Sequence, residues 1–275
     1  MSVPAVRVHR ARPPVLDRVR VVLVAPSHPA NIGACARAIR VMGINRLVLV
    51  APRLADAARH RDALALASGA GEVLERIEVF ETLAQALADC TLAVAVSAEA
   101  REFGPPQLEP EATALRIVAE LQASEQCQAA MVFGPERTGL SVGDAQLCQL
   151  LCSIPGEPDY NSLNLSHAVQ VIAYVLRRQA LANPLTDPLT DASAGPLAAE
   201  NDYATVQEIE AFFDHLQRAL RAIRYLDPAH PKKLLPRLRR LFARTRLESE
   251  EVDLLRGVCK MMEQSGNIAS SRGSK

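Results

Sequence analysis

The sequence predicts an α/β domain built on a largely parallel sheet, followed by a small all-α unit. Three observations predict it. Short β-branched runs alternate with helical patterns through the first two thirds of the chain, the order that crossover connections produce. A proline-rich segment without apolar periodicity then interrupts the pattern. Beyond it the apolar residues recur at helical spacing.

The opening residues, MSVPAVRVHRARPPVLDR, mix prolines and arginines where a secretory signal carries a continuous apolar core, so residues 1–18 read as a flexible arm. The chain has 275 residues and is 49% hydrophobic, enough for one large core and a smaller unit. No apolar run approaches the roughly 18 to 20 residues of a membrane span, and a cytoplasmic protein is the expectation. RVVLVA (20–25) and RLVLVA (46–51) are the first two strands, and the helix between them stops at Gly43, a residue suited to a left-handed C-cap. IEVF (77–80), TLAVAVSA (91–98), AAMVF (129–133) and LLCSIP (150–155) supply four more strands. EPEATALRIVAELQ (109–122) and VGDAQLCQL (142–150) are helical. In 162–181, Leu165, Ala168, Val169, Ile172 and Leu176 form an apolar face, while Asn164, His167, Gln170, Tyr174 and Arg177 form a polar one. This α/β domain covers residues 19–181.

Residues 182–202, with the repeated PLTD, read as a linker. In 203–263, Thr205 and Glu208 are spaced as a capping box for a helix whose stripe is Val206, Ile209, Phe212, Phe213, Leu216, Leu220 and Ile223. A basic helix follows, with Pro236 near its first turn and Leu238, Leu241 and Phe242 facing inward; Ser249 can cap a third. Residues 264–275 read as a disordered tail. Formal net charge is zero overall, yet from Asp202 onward 14 Lys and Arg face 10 Asp and Glu. KKLLPRLRRLFARTR (232–246) holds seven basic residues and no acid, a candidate surface for phosphates. Six cysteines, at 35, 90, 127, 148, 152 and 259, sit mostly in segments that read as buried. Cys148 and Cys152 have no further Cys or His at ligand spacing, so free thiols are expected and no metal is implied.

Three loops carry the candidate chemistry, each after a predicted strand. In PSHPANIGACARAIR, Asn31 can cap the helix, Gly33 admits a close backbone or ligand, and Arg37 lies one turn on, an arrangement suited to a phosphate. FGPERTGL (133–140) sets two glycines and a proline around Glu136 and Arg137, a tight loop that exposes backbone groups. It is neither the dinucleotide glycine fingerprint nor a P-loop, which disfavours a nucleotide-dependent oxidoreductase. IPGEPDYNSLNLSHAVQ (154–170) offers Asn161 or Ser162 as an N-cap, but capping needs only one polar residue and several are present.

The trio NIGACARA, FGPERTGL and IPGEPDYNSLNLSHAVQ, in this order and at this spacing, resembles the three motifs of SPOUT-family RNA 2′-O-ribose methyltransferases. Among them the chain is most similar to the bacterial branch that methylates the ribose of nucleotide 32, cytidine or uridine, in tRNA anticodon loops. The resemblance implies that the parallel sheet ends in a C-terminal trefoil knot whose loops hold S-adenosylmethionine. The implied cofactor pocket comprises Val96, Ser97, Ala98, Gly134, Ile154, Asn161, Ser162 and Leu163. Arg37 and Ser162 are implied to act at the reaction centre, with Asn31, Glu136 and Asn164 holding the loops. A guanidinium with a pKa above about 12 is a poor base, so Arg37 is assigned to the target phosphate and the developing alkoxide. tRNA is the implied partner, gripped by Arg37, Arg101, Lys232, Lys233, Arg237, Arg239, Arg240 and Arg244. A homodimer is implied as well, with Arg37 or RNA contacts acting across it. Two other readings stand beside this one. They are the same chemistry at another tRNA or ribosomal position, and an RNA-binding protein without catalysis.

Overall fold

The computed structural model describes residues 12–98, 103–182 and 202–272. Among the described residues seven strands pair in parallel in the order β3-β2-β1-β6-β4-β7-β5. They are β1 (Val19–Val24), β2 (Arg46–Val50), β3 (Glu78–Phe80), β4 (Leu92–Val96), β5 (Gln107–Leu108), β6 (Ala129–Phe133) and β7 (Leu150–Cys152). The α/β part carries α1 (Pro29–Met42), α2 (Arg61–Ala67), α3 (Gly71–Glu75), α4 (Leu83–Leu87), α5 (Pro110–Ala123), α6 (Val142–Gln146) and α7 (Leu165–Leu181). Strands β1, β4 and β6 are buried at every position, as runs without polar alternation must be when helices cover both faces. Alternate residues feed two cores. Val21, Leu23, Val94 and Met131 pack with Ile32, Ile117 and Ile172 of α1, α5 and α7, while Val22, Ala95 and Val132 pack with Leu87 of α4 and Ala145 of α6.

Because the strands are parallel, all their C-terminal ends lie along one edge. Leu23 pairs with Phe133, Phe133 with Val96 and Val96 with Cys152, so the segments leaving β1, β6, β4 and β7 emerge side by side. Two glycines allow the close approaches this needs. A Cβ at Gly33 would lie 2.0 Å from the Ala63 carbonyl oxygen of α2, as its place in the first loop anticipates. A Cβ at Gly134 would lie 2.2 Å from the Leu140 amide nitrogen, so only glycine lets the loop after β6 fold back on itself.

The C-terminal unit is three helices, α8 (Val206–Ala222), α9 (Leu234–Thr245) and α10 (Ser249–Arg272), around Phe212, Phe213, Val252 and Cys259. Phe212 and Phe213 pack edge-on to Phe242 at 5.2 and 5.9 Å between ring centroids. The expected capping box forms between Thr205 and Glu208. The unit docks on the sheet domain through backbone and charge. Val206 donates to the Cys90 carbonyl at 2.9 Å, and the Arg246 guanidinium forks onto both oxygens of Glu120 at 2.6 Å.

Several boundaries differ from expectation. Residues 12–18 are packed rather than loose: a 3-10 turn at Pro14–Arg18 buries Leu16, and Arg18 donates to the Ser124 carbonyl at the end of α5 at 2.6 Å. Helix α10 continues to Arg272, past residue 264, and its glycine at 266 sits against Ala222 of α8. The third motif enters its helix at Leu165, with Asn164 as N-cap in place of Asn161 or Ser162. Helix α1 begins at Pro29, so Asn31 lies inside the first turn and is not its cap. Leu241 is 44% exposed, because α9 turns only Leu238 and Phe242 inward, and Ile223 closes α8 at its exposed C-cap. The two-residue strand β5 was too short to read as a strand. Most of the linker, with residues 1–11, Arg101 and residues 273–275, lies outside the described residues.

Candidate active site

A cavity of about 660 Å³ opens at the edge where those strand ends meet. Its lining includes the apolar Val96, Phe133, Ile154 and Leu165, with Ser97, Ala98 and residues 134–139. All eight residues of the implied pocket line it: Val96, Ser97, Ala98, Gly134, Ile154, Asn161, Ser162 and Leu163.

Beside the cavity one network ties the three motif loops together. The Glu136 carboxylate, from the loop after β6, accepts from the Ser27 hydroxyl at 2.7 Å and the Asn31 amide at 2.9 Å. It also accepts from the backbone N–H of Ser27 at 3.1 Å and of His28 at 3.2 Å. Asn31 in turn accepts from the Asn164 amide at 3.2 Å, and Asn164 caps α7 by accepting from Ser166 N–H at 2.9 Å. Partial burial alone would raise the Glu136 pKa; the bonds donated by Asn31 and Ser27 outweigh it and hold the carboxyl down to about 2. Glu136 is thus a fixed anion that positions loops, with no proton to exchange near neutral pH. Cys35, under this network on α1, is held as a thiol by burial and by the neighbouring Glu136 charge.

Arg37 and Ser162 stand apart from this network. Ser162 is exposed at the cavity wall. Arg37 is exposed on α1, outside the cavity lining, and makes no hydrogen bond or ion pair among the described residues. On the same face of α1, Val41 is 62% exposed, and on α7, which packs against α1, Tyr174 is 51% exposed. In the basic helix, Lys232, Lys233, Arg237, Arg240 and Arg244 are exposed. Arg239 is not a free cation: it forks onto Glu210 and lies over the Phe213 ring at 4.3 Å, so it holds α9 to α8. Sequence reasoning did not single out Ser27, whose position just before the helix entry was the available signal. It also passed over Asp159 and Tyr160 of the cavity wall, which lie within the third quoted motif.

Fold and site together define a methylase class. The SpoU rRNA methylase family matches residues 18–174, and the C-terminal domain of the tRNA methyltransferase TrmJ matches residues 207–272. The TrmJ of Klebsiella pneumoniae, a tRNA (cytidine/uridine-2′-O-)-methyltransferase, is 39% identical over 251 residues, 91% of this chain and 98% of its own. That of Pseudomonas aeruginosa, described as acting on cytidine, uridine and adenosine, is 39% identical over 89% of this chain and 93% of its own. The crystal structure of TrmJ from Z. mobilis ZM4 superposes with a TM-score of 0.73 at 32% identity, covering 89% of this chain and 98% of that one. The chain belongs to the SpoU methylase family, in its TrmJ branch. No helix among the described residues is long and apolar enough to cross a membrane.

Proposed function

We propose that the protein transfers a methyl group from S-adenosylmethionine to the ribose 2′-hydroxyl of nucleotide 32, a cytidine or uridine, in the anticodon loop of tRNA. The observation that carries this reading is the Glu136–Asn31–Asn164 network, which fixes three loops from distant parts of the chain around one cavity. The residues present fit the cofactor. The volume lies within the roughly 300 to 1,000 Å³ of small-molecule sites, Val96, Phe133, Ile154 and Leu165 offer apolar surface to a purine, and Asp159 offers a carboxylate to a cationic ligand. Val96, Ser97, Ala98, Gly134, Ile154, Asn161, Ser162 and Leu163 would hold it. S-adenosylmethionine supplies an electrophilic methyl group on a sulfonium. The chain has to bring the ribose oxygen into line with it, and alignment of this kind is worth roughly 7 to 11 kcal/mol. Ser162 orients the hydroxyl, and Arg37 fixes the adjacent phosphate and stabilises charge growing on the oxygen. The methyl group would pass from sulfur to the ribose oxygen, leaving a thioether, and the hydroxyl proton would pass to a phosphate oxygen or water.

The same reading includes a homodimer, supported by the exposed Val41 and Tyr174 near Arg37. It includes the trefoil knot, supported by the entry of β7 between β4 and β5, beside the loop that joins them. Lys232, Lys233, Arg237, Arg240 and Arg244 carry the RNA phosphates, and the cytoplasm is where tRNA would be met. The test is incubation with labelled S-adenosylmethionine and unmodified tRNA, followed by mapping of 2′-O-methyl sites. Methyl groups at 32 are the expected result; transfer only elsewhere would assign the chain to another position. Turnover of Arg37→Ala equal to the unmodified protein would remove Arg37 from the mechanism.

A further inference from the structure

The loop after β7 carries an aromatic side chain to the cavity and leaves it uncovered. Glu157, Pro158, Asp159 and Tyr160 form a turn that the Tyr160 N–H closes on the Glu157 carbonyl at 3.0 Å, and Pro158 fixes φ at its second position. The Asn161 side-chain oxygen packs against Gly156, 2.3 Å from where a Cβ would stand, a second contact across the same turn. Pro158, Asp159 and Tyr160 all line the cavity. Tyr160 is 80% exposed, whereas Phe133, the other aromatic residue of the lining, is 3% exposed. One exposed apolar ring on a surface needs no explanation of its own. What sets this one apart is its place in the cavity wall, two residues before Ser162.

We infer that the Tyr160 ring stacks on the base of the nucleotide whose ribose is methylated, and so sets that nucleotide against the cavity. The inference rests on the reading of the cavity as a cofactor site and of Ser162 as the residue that orients the ribose hydroxyl. In a ribose the base is carried by the carbon next to the one that bears the 2′-hydroxyl, and two residues of chain span at most about 7 Å. A hydroxyl held at Ser162 therefore brings its base to the neighbourhood of Tyr160. Unpaired bases of RNA loops are bound in this way, splayed from their neighbours and stacked on an aromatic face. Exposure decides between the two flat partners at hand. A purine of the cofactor would lie with the buried Val96, Phe133 and Leu165, while a ring open to solvent meets a partner that arrives from solvent. The turn is already closed, so little chain freedom is lost when the base arrives. A ring face reads no hydrogen-bonding edge, and the contact admits cytidine and uridine alike.

The experiment measures methyl transfer by the full chain to nucleotide 32 of unmodified tRNA, with that nucleotide either intact or abasic. Tyr160→Ala should lower kcat/KM for intact tRNA about five- to a hundred-fold, the range of a lost base–aromatic stack, and Tyr160→Phe should recover most of it. Affinity for S-adenosylhomocysteine should be the same in both variants as in the unmodified protein. On abasic tRNA the unmodified protein and Tyr160→Ala should differ by less than about two-fold, because the partner of the ring is gone. A Tyr160→Ala protein as active as the unmodified one overturns the inference, and so does a loss that persists in full on abasic tRNA, which would make the role structural. A matching loss of S-adenosylhomocysteine affinity overturns it too, by giving the ring to the cofactor. These three outcomes leave the reading of the site intact. Absence of transfer to nucleotide 32 by the unmodified protein overturns both.

Discussion

The sheet domain and the helical extension use their charged side chains in different ways. In the sheet domain the decisive charge is one carboxylate, Glu136, satisfied by four donors from a single neighbouring loop and helix start. In the extension it is a run of seven cations on 232–246, which looks uniform in the sequence and divides in the structure. Arg246 is 9% exposed on Glu120, itself 2% exposed; Arg239 is committed to Glu210 and Phe213; Arg240 and Arg244 face solvent. A basic stretch therefore measures two things at once: how a helix is fastened and what it offers to a polyanion.

The largest expected effect lies at the fastening. Glu120→Ala leaves the Arg246 guanidinium buried without its carboxylate and takes the acceptor from the Thr91 hydroxyl, which donates at 2.9 Å. Breaking such a pair costs about 3 to 5 kcal/mol, read as a drop in the urea midpoint, with the extension released early in limited proteolysis. Glu120→Leu with Arg246→Met should recover most of that loss, since an apolar pair of similar volume has no charge to desolvate. If Glu120→Ala costs less than about 1 kcal/mol, the pair behaves as a surface contact and the contrast between the two kinds of cation fails.

The carboxylate of the sheet domain sharpens the comparison through pH. Folding lowers the Glu136 pKa from 4.5 to about 2, so its contribution is complete above about pH 4.5 and is lost as the pH falls towards 2. Glu136→Gln should remove that part of the acid limb from a plot of stability against pH. At neutral pH it should cost about 1 to 2 kcal/mol, a figure reduced for the solvent access of the group. Methyl transfer should fall further than stability, because the loops lose their common acceptor. An acid limb unchanged in Glu136→Gln would mean that other carboxylates set it.

These two sites also mark what could be read in advance. The strands were legible because buried parallel strands are unbroken apolar runs, and five of the eight expected cavity residues were legible because the second and third motifs carry them, while Val96, Ser97 and Ala98 came from the end of a strand. The network was not. That Asn31 would turn from capping its own helix to bridge Glu136 and Asn164 depends on where α1 begins, and Pro29 moved that start two residues ahead of it. The arm was misread for a related reason: Leu16 is a single apolar residue among prolines and charges, and only the tertiary fold gives it a place to bury.

The smallest effect separates the cations of α9 from one another. Arg239→Gln should cost about 1 kcal/mol of stability, from the lost fork on Glu210 and the lost ring contact, while tRNA binding keeps its salt dependence. Arg244→Gln should leave the melting curve in place, weaken tRNA binding, and lower the slope of log affinity against log salt by about one. The pair of slopes is more telling than the pair of affinities, because a loosened helix weakens binding at every salt concentration without removing a phosphate contact. Equal slope changes in the two variants would mean that Arg239 leaves Glu210 for RNA on binding. The fork would then be a resting position of that cation rather than a fastening of the helix.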